Sequence, residues 1–228
     1  MSAIQNHLQN ITNELPQGVT LVAVSKYHPA SDILEAYHAG QRVFGENLAR
    51  EMQNKHDILP KDIQWHFIGH LQKNKVKYIA PFVSMIQSVD SIQLLQEIDR
   101  QAAKHNRIIP CLLQIHVAQE QTKFGLTFQE CLDLLEEGSW RQLTHIRIDG
   151  IMGIATHTED TSLIRKEFQS LNNLFKQVKE TYFLNDDNFS YKSWGMSDDY
   201  QLALQENSNT IRIGSAIFGN RPSKESLQ

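Results

Sequence analysis

The stretch TLVAVSK, residues 20–26, decides how the rest of the chain is read. Leu21, Val22, Ala23 and Val24 are apolar without alternation, as expected of a strand covered on both faces, which is the usual situation of a parallel strand under helices. The run closes on Lys26, a long cation where an apolar residue would have continued it, just ahead of Tyr27-His28-Pro29. Working outward, similar runs recur at 42–47 (RVFGEN), 63–69 (IQWHFIG), 85–90 (MIQSVD), 109–117 (IPCLLQIHV), 145–155 (HIRIDGIMGIA), 189–195 (FSYKSWG) and 210–218 (TIRIGSAIF).

Helix-like segments fill the gaps. Asp32 with Glu35 three residues on gives a capping-box pattern over 31–40, and Gly40 supplies a stop. The longest segment, 161–184, places Leu163, Phe168, Leu171, Leu174, Phe175 and Val178 on one stripe. Ahead of the first strand, Ile4, Leu8, Ile11 and Leu15 share a helical face that Pro16 and Gly18 end. Eight strand–helix alternations predict an α/β fold, a (β/α)8 TIM barrel with an extra N-terminal helix, as a single domain over residues 1–228. An open doubly wound sheet is the alternative, but no GxGxxG follows the first strand and no P-loop occurs.

Bulk properties exclude several classes. The 228 residues are 40% hydrophobic and 21% charged, with a formal net charge of −4, so a sizeable core is expected and no cationic nucleic-acid footprint. No apolar run reaches the ~18 residues of a membrane helix. The N-terminus MSAIQNHLQNITNELPQG lacks the layout of a secretory signal. Cys111 and Cys131 have no CxxC spacing and lie in apolar segments, so reduced buried thiols and a cytoplasmic location are expected. The ten histidines form no metal motif.

In a barrel, functional residues collect at the C-terminal ends of the strands. Read in order, those ends hold Lys26, Glu46-Asn47, His66, Ser88-Val89-Asp90, Gln114 and His116, Met152, Met196-Ser197, and Arg212 with Gly214-Ser215. GMSDD and RIGSAIFG suit a phosphate cradle of backbone amides and hydroxyls helped by a helix dipole; they also suit a plain helix cap and a plain turn. Lys26 suits a salt bridge to Glu46 or a rim position, and equally a nucleophilic amine able to form a Schiff base with an aldehyde. A lysine and a phosphate cradle at one mouth suggest a phosphorylated aldehyde, of which pyridoxal 5′-phosphate (PLP) is the commonest. Its pyridine nitrogen would need an acid or an arginine, and Arg212 is on the cradle strand.

The stretches LVAVSK, VFGEN, WHFIGHLQKNK, SVDS, KFG, IMGI, WGMSDD and IRIGSAIFGNR, in this order and spacing, resemble the YggS/PROSC family of PLP-binding (PLP homeostasis) proteins nearly end to end. The resemblance implies a barrel like the alanine racemase N-terminal domain, with PLP held as a Schiff base on Lys26. It implies that Arg212 faces the pyridine nitrogen, that Ser197, Gly214 and Ser215 hold the phosphate with backbone help from Met196, and that Asn47, His66 and Met152 surround the ring. Gln72, Asn74 and Lys75 would begin a helix beside the mouth. His116 stands where the family commonly has asparagine, so no role is carried to it, and none to Tyr27 or His28.

Two functions follow. One is a PLP carrier, buffer or regulator without a dedicated turnover reaction, with PLP-dependent apoenzymes as candidate recipients and a monomer as the default. The other is a PLP-dependent amino-acid racemase of the alanine-racemase type. An arginine beside the ring nitrogen disfavours its protonation and weakens the electron sink. Racemization also needs a second base, in alanine racemase a tyrosine of a C-terminal domain. The chain ends ten residues after Phe218, so that domain is expected to be absent.

Overall fold

In the computed structural model, which describes residues 2–120 and 122–219, eight parallel strands close a barrel in chain order. They are β1 Thr20–Val24, β2 Val43–Glu46, β3 Gln64–Phe67, β4 Met85–Val89, β5 Ile109–Ile115, β6 Ile146–Gly153, β7 Tyr191–Met196 and β8 Thr210–Ile213. Helices α2 Ala30–His38, α3 Ala49–Ile58, α4 Val76–Ile79, α5 Ile92–Ala103, α6 Phe128–Glu137, α7 Thr161–Tyr182 and α8 Tyr200–Gln205 connect them. The expected barrel and the additional first helix, α1 Ala3–Glu14, are both present.

The apolar-on-both-faces strands divide their side chains between two layers. Leu21, Ala23, Trp65, Phe67 and Trp194 join the large core beneath the helices, together with Phe168, Leu171 and Val178 of α7. Met85, Leu112 and Met152 form a second, smaller apolar cluster, packed with Ile154 and Tyr191. Helix α1 starts on a full capping box, in which Ser2 and Gln5 satisfy each other's backbone amides, and buries Leu8 and Ile11.

Closure comes from β1 pairing with β8, Val22 opposite Arg212 and Ala23 opposite Ile213. Between β7 and β8 the register slips, so Ser193 faces Thr210 but Met196 faces Arg212. Gly195 absorbs the bulge at φ +96, where a Cβ would also lie 2.5 Å from that of Ala203. The bulge carries the Met196-Ser197 turn to the level of Arg212.

Two local readings change. Residues 215–218, grouped by their apolar character with the run of the last strand, form the short helix α9 Ser215–Phe218, because the chain leaves the sheet at Gly214. Asp32 does not cap α2. That helix begins earlier, at Ala30 after Pro29, which places Asp32 in its first turn, where its carboxylate meets His28 Nδ1 at 3.2 Å.

Candidate functional site

A cavity of about 710 Å³ opens at the C-terminal ends of the strands. Lys26, Asn47, Met196, Ser197, Arg212, Gly214 and Ser215 line it, so seven residues singled out from sequence share one space. His66 and Met152 do not. Each sits two residues before a wall residue of its own strand run, Ile68 or Ile154, and alternate residues share a face, so both lie one layer deeper in the barrel. Gln72 and Asn74 are exposed and, with Lys75, do not line the cavity. His116 bonds the Glu120 carbonyl at 3.0 Å and is likewise not a wall residue.

Lys26 rides on a tight turn. The His28 amide closes back on the Ser25 carbonyl at 3.1 Å, and Tyr27 takes a left-handed φ of 66 that glycine normally fills. Glu46 does not serve Lys26 as an ion-pair partner. Its carboxylate leans outward from the barrel to Lys55 Nζ at 2.7 Å and accepts the Ser25 hydroxyl at 2.7 Å, while the next residue, Asn47, faces the cavity. Burial pushes the Glu46 carboxyl up to about 7 against the pull of Lys55.

On the opposite side, Arg212 is 3% exposed and fully bonded along one edge. Nη1 donates to the Ser193 carbonyl at 2.8 Å and to its hydroxyl at 2.6 Å; Nη2 donates to the Gly153 carbonyl at 2.8 Å. The relay runs on with its proton directions fixed. Arginine only donates, so the Ser193 hydroxyl gives its proton to Gln87 Oε1 at 2.7 Å, and the Gln87 amide then donates to His66 Nδ1 at 2.9 Å. His66 must accept at Nδ1 and is neutral, in keeping with burial holding it down to about 4. Burial lowers Arg212 only to about 10, so it is cationic at neutral pH.

The expected phosphate cradle is partly committed. The Met196 amide donates to Asp199 Oδ1 at 2.5 Å, so backbone help from Met196 is not on offer; the Gly214 amide meets Ser197 Oγ at 3.3 Å. Helices α8 and α9 have six and four residues, too short to lend much dipole, so hydroxyls and loop amides carry the anion-binding character. At the wall, Asn47 Oδ1 is buried with no partner among the described residues, an acceptor that a ligand donor would satisfy. An amine, a guanidinium, two hydroxyls and an orphaned acceptor around one cavity fit PLP.

Among the wall residues given no role from sequence are His28, His70, Lys123 and Phe124. His70 stacks on Phe124 with centroids 3.8 Å apart and is held by Asp90 at 3.2 Å. The KFG stretch contained Lys123 and Phe124, but nothing in its spacing told which cavity they reach. Among the described residues no three His, Cys, Asp or Glu side chains gather as a metal site, and no helix is long and apolar enough to cross a membrane.

The family model of the alanine racemase N-terminal domain matches residues 1–222, and the chain, a closed barrel with Lys26 just past its first strand and Arg212 on its last, belongs to that family. More narrowly, its relatives include proteins named pyridoxal phosphate homeostasis protein. One from Pasteurella multocida is 34% identical over 227 residues, 97% of this chain and 96% of its own. Another, from Schizosaccharomyces pombe, is 33% identical over 233 residues, 99% of this chain and 96% of its own. Among solved structures, PipY of Synechococcus elongatus without PLP superposes with a TM-score of 0.88 at 33% identity, covering 95% of this chain and all of that one. The same protein with PLP bound gives 0.85. An alanine racemase from Clostridium difficile, 15% identical with a TM-score of 0.74, covers 97% of this chain but 57% of that one, a likeness of fold alone.

Proposed function

We propose that this chain is a PLP-binding protein of cofactor homeostasis, holding PLP covalently on Lys26 without a dedicated turnover reaction. The observation that carries the reading is the meeting of Lys26 and Arg212, from the paired end strands β1 and β8, in one cavity with Ser197, Gly214 and Ser215. Bound PLP supplies an aldehyde for the lysine amine and a conjugated ring that can spread negative charge. Arg212 would face the ring nitrogen, Ser197 with the Gly214-Ser215 turn would hold the phosphate, and Asn47 would offer its acceptor to the ligand.

The carrier reading is supported by what surrounds Arg212. It keeps its proton and its relay ends in a neutral imidazole, while the nearby Asp199 attracts it but is bonded to the Met196 amide rather than to the guanidinium. Among the described residues that line the cavity none is a tyrosine, the second base of an alanine-type racemase. The buried thiols Cys111 and Cys131 suit a cytoplasmic setting, in which PLP-dependent apoenzymes are the recipients.

Borohydride reduction of PLP-loaded protein should leave a pyridoxyl adduct on Lys26, located by peptide mass spectrometry and lost in Lys26→Ala. Loaded protein incubated with L-alanine in deuterium oxide should give no sustained D-alanine. Turnover with deuterium at the α-carbon would replace the carrier reading with the racemase one.

A further inference from the structure

We propose that Glu51 and Lys55, on the outer helix α3, are positioning residues that clamp the turn bearing Lys26 and aim its amine. The proposal rests on the reading of Lys26 as the PLP lysine. Both peptide units flanking Lys26 are tied to this helix. Ahead of it, the Ser25 carbonyl accepts Lys55 Nζ at 2.8 Å; behind it, the Tyr27 amide donates to Glu51 Oε1 at 2.6 Å. Glu51 and Lys55 stand four residues apart on one face and bond each other at 2.6 Å, so the two ties act as one brace. Glu46 anchors it, bonding Lys55 and the Ser25 hydroxyl together.

Two features make a purely stabilising role a poor explanation. Glu46 is 0% exposed and Lys55 7%, and burying such charges carries a desolvation penalty that their attraction only roughly returns; apolar replacements are often neutral or better. The turn itself is strained, because Tyr27 at φ 66 holds a conformation that a residue with a side chain keeps only where its surroundings impose it. A carboxylate gripping the Tyr27 amide imposes it. The return is geometric, since a reacting group displaced by ~1 Å can lose on the order of a hundredfold in rate.

Glu51→Ala removes the grip while keeping a good helix former and stranding no buried charge. Against wild type it should slow borohydride-trapped adduct formation at Lys26 by about tenfold or more, yet leave the affinity for pyridoxine 5′-phosphate, which lacks the aldehyde, within about twofold. Glu51→Gln, which keeps an acceptor oxygen, should restore the rate. Lys55→Met combined with Glu46→Gln removes the Ser25 tie without leaving the fully buried Glu46 carboxylate unpaired, and should show the same split between the two ligands; it serves if Glu51→Ala fails to fold. Unchanged adduct formation in the folded variants, or an equal loss of both ligands, would overturn the proposal. A wild-type protein that binds pyridoxine 5′-phosphate but never yields the Lys26 adduct would overturn the parent reading instead.

Discussion

Two buried cations flank the site, and they are compensated in opposite ways. Lys55 meets carboxylates, Glu46 at 2.7 Å and Glu51 at 2.6 Å, so its charge is spent inside the protein. Arg212 meets only neutral oxygens, from Ser193 and Gly153, with Asp199 attracting it without a direct bond. Dipoles hold the guanidinium in place without cancelling it, which leaves its charge for a ligand. The first arrangement fixes a backbone; the second keeps a field aimed into the cavity.

The contrast is most sharply tested at Lys55. Lys55→Met leaves Glu46 buried without its cation and should cost about 3–5 kcal/mol in urea denaturation, most of it regained by adding Glu46→Gln. A loss below about 1 kcal/mol would mean that the carboxylates are not what this cation serves. Arg212→Met should be milder for stability, about 1–3 kcal/mol for the carbonyls and hydroxyl it abandons, but should weaken PLP binding at least about tenfold. Arg212→Glu should let the ring nitrogen of bound PLP keep a proton and shift its absorbance; an unchanged spectrum with PLP bound would remove Arg212 from that role.

The next effect is in pH. His66 is held to about 4 when folded against 6.5 ordinarily, so its contribution is fully present above pH 6.5 and falls by up to about 3 kcal/mol as pH drops to 4. Glu46, raised from 4.5 to about 7, acts oppositely: its contribution is full below pH 4.5 and is lost as pH rises through 7. The two offset one another in wild type. His66→Gln should therefore gain stability relative to wild type on acidification from pH 6.5 to 4, and parallel melting-temperature curves would refute the assignment. Smallest of all, Asp62→Asn breaks the Arg42 pair, whose side chains are 41% and 57% exposed, and should change urea stability by less than about 1 kcal/mol. A larger change would mean that burial is not what separates these charges.

The barrel was legible because its strands are apolar on both faces, and Lys26 and Arg212 stood out as long cations interrupting or ending such runs. Depth was not legible. Alternation tells which face His66 and Met152 occupy but not which layer, and both fall a layer below the walls. The run at 215–218 is apolar enough for a strand, and only the chain's exit at Gly214 makes it helical. Lys55 lies in AREMQNKHDI, which reads as a solvated helix; its burial depends on Glu46 and Ser25, on other elements altogether. His28 went unassigned because a turn residue gives no periodicity from which to read its direction.

The β1–β8 seam also sets a timetable. Val22 lies opposite Arg212, so the lysine strand waits for almost the whole described chain to be synthesized before β8 can pair with it. Contacts of such long sequence separation form late, because the chain between them must first be ordered. Until then β1 and β7 are open edges, ready to pair with other chains. A nascent protein thus owns its lysine well before its arginine. Tight cofactor capture becomes a signal that the ring of strands has shut.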